Sequence, residues 1–302
     1  MRFLPYSLSG KSSIPLRRDS VRSIREGVWI SLCHASTVLS LSILVIALFL
    51  LARAGWSVLD VDFFFGTWQH RNIAEGGIAQ AIMGSLYLGL GVLFISFPLG
   101  IGTAIFLTEY SADRTARRTV QLAIRNLAGV PSVVYGLFGL TLFVQLLNFG
   151  SSLLAAICTL SAMTLPWVIT ASVEALEAVP QKFRDSSLAL GATHWQTTRR
   201  IVLPAGMPGC LTGGIISMAR ALGETAPIIL VGATFFLSGF PGSPFDRFMA
   251  LPYHTFILAT QHASPDAPAT AAGTALILLL LTFILSAGAI LLRWRLRRQK
   301  VW

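Results

Sequence analysis

Residues 76–108 form a run of 33 positions without a single charged side chain. As a helix rising about 1.5 Å per residue, the run exceeds what a hydrocarbon core of ~30 Å requires. It predicts a membrane-spanning helix, and the rest of the chain repeats the pattern. Long apolar runs alternate with short segments that hold nearly all the Lys and Arg. At 302 residues the length would allow two soluble domains, but 54% hydrophobic and 12% charged residues argue for an integral membrane protein. The mean hydropathy of +0.70 agrees.

The expected fold is all-α, with six spans at about 28–52, 77–108, 119–147, 153–173, 209–237 and 268–292. A basic segment, 1–27, precedes them, a polar loop, 174–208, separates the fourth and fifth, and a basic tail, 293–302, follows the sixth. Ala52-Arg53-Ala54 has the form of a signal-peptidase site. The run before it, about 25 residues, is too long for a signal h-region and suits an uncleaved span. Pro98 and the Gly100-Ile101-Gly102 step should kink or tilt the second span, while Pro131 and Pro166 are expected inside the third and fourth, where membrane helices tolerate proline. The cluster Asn148-Phe149-Gly150-Ser151-Ser152 marks the break between those two. Gly100, Ala104 and Thr108, and again Gly209, Gly213, Ser217, Ala221 and Thr225, recur at four-residue spacing, stripes that let helix backbones approach closely. Residues 238–267, rich in Pro, Gly and aromatics, read as an external loop with an interfacial piece around 248–256.

The net charge of +10 follows topology rather than nucleic-acid binding. Placing both termini and the segments 109–118 and 174–208 inside puts 18 of the 23 Lys and Arg there, with Arg53, Arg71 and Arg247 outside and two in the membrane. Cys33, Cys158 and Cys210 lie in or beside separate apolar runs and form no C-x-x-C pair, so they read as small packing residues. Gly10-Lys11-Ser12 resembles the end of a P-loop, but the required first glycine falls at Pro5. The histidines, His34, His70, His194, His254 and His262, are scattered, and neither a metal motif nor a nucleophile elbow accompanies them.

Three charges fall inside predicted spans. Arg220 and Glu224 interrupt the fifth within its small-residue stretch, and Arg125 lies early in the third. Each costs roughly 2.5–3.5 kcal/mol at a helix centre, so each needs a compensating role. Arg220 and Glu224 stand at i and i+4, which suits either a structural ion pair or a substrate path. Arg125 suits either snorkelling to the headgroups or a place on that path. The polar loop has its own punctuation. Pro180 opens a helix, Gly191 stops it, and Thr193 with Gln196 forms a capping box for a second.

Asp185, Ser186 and Ser187, then Gly191, then Ile201, Leu203 and Pro204 keep the spacing of the E-A-A…G…I-x-L-P loop of ATP-binding-cassette (ABC) importer permeases, with Asp-Ser-Ser at the leading positions. The chain thus resembles the type I ABC importer permease family. Arg220-Ala-Leu-Gly-Glu224-Thr-Ala-Pro227 and the stretch 127–140, LAGVPSVVYGLFGL, narrow the resemblance to the A-type permeases, PstA, of bacterial phosphate-specific importers. The resemblance implies a non-catalytic permease of the bacterial inner membrane whose loop docks on a separate ATPase. It implies as partners a second, PstC-like permease, two PstB-like ATPase subunits and a periplasmic PstS-like phosphate-binding protein. This chain would bind no cofactor itself, with ATP and Mg on the ATPase. Permeases for sulfate, molybdate or phosphonate stay open as alternatives, as do a purely signalling role and, from another class, a membrane enzyme acting on lipid phosphates.

Overall fold

The structure is a computed structural model that describes residues 17–68, 76–111, 113–237, 239–261 and 264–298. Gly10-Lys11-Ser12, His70, Arg71, His262, most of the N-terminal basic segment and the end of the tail lie outside the described residues. The described residues are almost wholly helical, with one isolated bridge, Ala233 to Phe248, and no strand among them.

The described residues up to Leu50 form one unit, which consists of most of helix α1, Arg17–Gly55. Every side chain from Glu26 to Leu50 is exposed, and most are apolar on all sides of the helix, a surface suited to lipid.

In the second unit, 51–302, a short α2, Val61–Phe65, precedes α3, Ala79–Ile105, which continues through a π-helical turn to Tyr110. Helices α6, Leu153–Glu177, and α9, Leu203–Gly223, pack with α3 as a three-helix core. Small residues set the spacing. A methyl group on Gly213 would stand 2.5 Å from the Ala171 Cβ, and one on Gly209 2.5 Å from the Ala175 Cβ, so α6 and α9 run antiparallel in near contact. Gly100 meets Val168 in the same manner, holding α3 against α6. Pro98 and Pro166 sit inside continuous helices. Helix α12, Ala267–Arg298, and the shorter α11, Leu251–Thr260, complete the unit.

Two expected spans are not single helices. The stretch 119–147 is divided into α4, Arg114–Ala128, and α5, Ser132–Gly139, which runs on as a π-helix to Leu146, with a bend of 97° between them. Pro131 lies at the break rather than inside a helix: it disfavours helical backbone at Val130 and caps the helix that follows. The described residues therefore contain five helices able to cross a membrane, or six with the bent pair counted as one span. The stretch 209–237 is likewise broken. Helix α9 ends at Gly223, Glu224 is extended (φ −76°, ψ 131°), and α10, Ala226–Val231, restarts with Pro227 in its first turn. The turn at Asn148 (φ 53°) and Gly150 (φ 66°) falls between α5 and α6, where the sequence places a break.

Candidate functional site

Helix α7, Gln181–Ala189, and α8, His194–Thr197, form the polar loop, and α8 runs without interruption through a π-helical stretch into α9. Helix α7 ends at Ala189, and Gly191 turns the chain with φ +84°, a left-handed conformation that costs a residue with a Cβ. The Thr193–Gln196 capping box is closed in both directions, at 3.2 and 2.9 Å. Asp185 and Ser186 are exposed, and Asp185 accepts a 3.1 Å hydrogen bond from Gln181 Nε2. Ser187 instead turns inward, its Oγ 2.8 Å from the Thr197 hydroxyl, and so ties α7 to α8. Ile201, Leu203 and Pro204 are half-buried where the loop becomes α9. On the outer side Leu190, Trp195 and Phe183 are exposed, with Leu190 90% accessible. Apolar residues so presented on a polar loop suit a contact surface.

What fixes the loop to the bundle is a pair that sequence reasoning passed over. Arg184 Nη2 is 2.9 Å from Glu109 Oε1, and Nε is 3.2 Å from Oε2, a two-point pair with both side chains nearly buried. The same guanidinium donates to the carbonyls of Val179 at 2.6 Å and Leu176 at 2.9 Å, so it also caps the end of α6. A second ion pair, Arg117 with Glu177, joins α4 to α6. A cavity of about 410 Å³ lies beside these groups, lined among others by Glu109, Glu177, Arg184 and His194. The available signal was the position of Glu109, the first charge after a long uncharged run, together with an arginine next to Asp185.

Arg220 and Glu224 do not share a helix. Arg220 occupies the last turn of α9 and Glu224 the break, and the small-residue seam of Gly213, Ser217 and Ala221 faces away from Arg220 into the core. Continuing the contact of Gly209 with Ala175 and of Gly213 with Ala171 along the antiparallel pair sets Arg220 level with Thr164, near the middle of α6. Breaking a helix there leaves backbone groups that lipid could not satisfy, so the position suits a polar passage. The Arg220 side chain is 44% exposed and Glu224 17%, with Nε 3.6 Å from Oε1, an ion pair longer than a hydrogen bond. Its guanidinium carbon lies 5.0 Å from the ring centroid of Trp167. Arg125 is not brought to this group. It lies on exposed α4, beside a groove lined by Ile169, Thr170, Val173, Glu174 and Glu177, between Trp167 and the loop end of α6. The third predicted span being broken, Arg125 belongs to an amphipathic helix rather than to a span interior.

A bundle of broken spans around α3, α6 and α9, with a two-helix loop at one end, has counterparts of known structure. The chain aligns with a permease-sized chain from the "Crystal structure of bacterial alginate ABC transporter in complex with alginate pentasaccharide-bound periplasmic protein" at a TM-score of 0.66, covering 91% of this chain and 96% of that one. At 16% identity the likeness is one of fold. By sequence the chain is 37% identical over 218 residues to the phosphate transport system permease protein PstA 1 of Mycobacterium tuberculosis (strain CDC 1551 / Oshkosh), covering 70% of each. It is 35% identical over 229 residues to the phosphate transport system permease protein PstA of Mycobacterium leprae (strain TN), covering 73% of this chain and 74% of that protein. Residues 96–298, from the middle of α3 to the end of α12, match the family model described as binding-protein-dependent transport system inner membrane component. With that match over two thirds of its length and relatives above 30% identity, the chain belongs to the family of inner membrane components of binding-protein-dependent transport systems.

Proposed function

We propose that this chain is the A-type permease subunit of an ATP-driven phosphate importer in the bacterial inner membrane, and that Arg220 meets the anion during passage. The names of its relatives support the substrate, since they are phosphate transport permeases. The single observation that carries the role of Arg220 is its placement, a half-exposed guanidinium at a helix break level with the middle of α6. Phosphate near neutral pH is a mono- or dianion with several acceptor oxygens, and a planar guanidinium can meet two of them at once. Glu224 would keep Arg220 oriented or accept the proton that phosphate carries and sulfate lacks.

The charge distribution supports a cytoplasmic position for the loop 174–208 and both termini. There Leu190, Trp195 and Phe183 would meet a PstB-like ATPase, with ATP and Mg bound by that subunit and not by this one. A PstC-like permease would complete the path, and a PstS-like protein would deliver phosphate from the periplasm. Because α8 continues into α9, displacement of the loop by the ATPase moves the helix that carries Arg220.

The test compares membrane abundance with labelled phosphate uptake, alone and against competing sulfate and molybdate, in Arg220→Lys and in Arg220→Gln with Glu224→Gln. Lys keeps the charge but loses the planar fork, and the double change removes both charges together and so leaves no unpaired ion. The expected outcome is normal abundance with little uptake for the double variant and impaired uptake for Arg220→Lys. Near-normal uptake by the double variant would reduce the pair to a structural one.

A further inference from the structure

Trp167 lies on α6 between buried Pro166 and Val168, yet its own side chain is 40% exposed, on the side to which Arg220 also opens. A tryptophan with a guanidinium carbon over its ring at 5.0 Å is within cation–π range, and this contact requires no N–H···O hydrogen bond. The surroundings of the Arg220 group can be set out atom by atom. The indole lies under the guanidinium carbon, Glu224 stands nearest Nε at 3.6 Å, and among the described residues the two Nη atoms donate no hydrogen bond. The two Nη donors left over are those that fit two oxygens of a tetrahedral oxyanion.

We infer that Trp167 is a positioning residue for oxyanion recognition: its indole holds the Arg220 guanidinium so that the Nη edge faces the passage. The inference rests on the proposed role of Arg220. It assigns to Trp167 the task that hydrogen bonds perform for buried arginines such as Arg184, while leaving donors free for a ligand. An aromatic face suits that task because it attracts the cation while making at most weak N–H···π contacts.

The experiment uses the full importer complex and measures membrane abundance, KM and Vmax for labelled phosphate uptake in Trp167→Phe, Trp167→Met and Trp167→Leu, each with and without Arg220→Lys. Phe keeps a ring and should hold KM within about threefold, while Met and Leu should raise it about 3- to 10-fold at near-normal abundance, as loss of a cation–π contact predicts. In the Arg220→Lys background the same changes should add little further, because the planar cation they position is gone. Wild-type KM in both Met and Leu variants, or a fall in abundance that accounts for all lost uptake, would overturn the inference. Arg220→Lys separates this failure from that of the underlying reading. If it is impaired while the Trp167 variants keep their KM, only the role of Trp167 falls; if it transports normally, the role of Arg220 falls first.

Discussion

Replacing Arg184 with alanine removes one partner of a nearly buried pair, and the consequences can be worked through group by group. Glu109, 8% accessible at its side chain, loses both guanidinium contacts, and the carbonyls of Leu176 and Val179 lose their donors at the end of α6. Removing one member of a buried pair costs about 3–5 kcal/mol, most of it the stranded charge. The neighbouring cavity of about 410 Å³ is lined by polar groups and roomy enough for water, which argues for the lower end of that range. The cost falls on the docking of α7 against α3 and α6, not on the small-residue seam, so local opening of 178–193 should rise while the bundle holds. About 3 kcal/mol corresponds to amide hydrogen exchange in that segment more than 100-fold faster, measurable on the purified complex in nanodiscs. Arg184→Met with Glu109→Leu should recover most of the protection, because no charge is then left behind. Exchange within threefold of wild type in Arg184→Ala, or a double variant as unprotected as the single, would refute the account.

Two other outcomes follow from the loop and the charge pattern. Gly191→Val forces a β-branched residue to φ +84° and should cost about 1–2 kcal/mol in placing α8; ATPase co-purification and uptake should fall together, and normal values of both would remove the loop as the docking surface. Reporter fusions after Arg117, after His194 and at the C-terminus should read cytoplasmic and those near Asn72 and Ser243 external, Asn72 lying outside the described residues; an external reading at His194 would contradict the docking role.

Much of this molecule is legible from local rules because a membrane leaves a helix few alternatives. The uncharged run 76–108 became α3, and the glycine stop and capping box of the loop appear as read, since each depends on residues within a few positions of one another. The two broken spans were missed for one reason. Composition measures whether a stretch is apolar enough to enter the bilayer, and both 119–147 and 209–237 are, but it says nothing of direction. In the first, Gly129 and Pro131 bend the chain by 97°; in the second, Glu224 is extended before the turn that carries Pro227.

The partners of the missed pairs lie far apart in sequence. Arg184 finds Glu109 across 75 positions, and Arg220 finds Trp167 across more than 50, so no helical spacing could have announced either. The two arginines nonetheless solve opposite problems with the same side chain. Arg184 spends its donors on a carboxylate and two carbonyls and so holds the loop rigidly to the bundle. Arg220 sits over an indole and, among the described residues, keeps its Nη donors uncommitted. A guanidinium that is fully hydrogen-bonded locks structure, and one held beside an aromatic ring can still take a ligand, which is why the proposed role in the passage is assigned to the half-exposed arginine rather than the buried one.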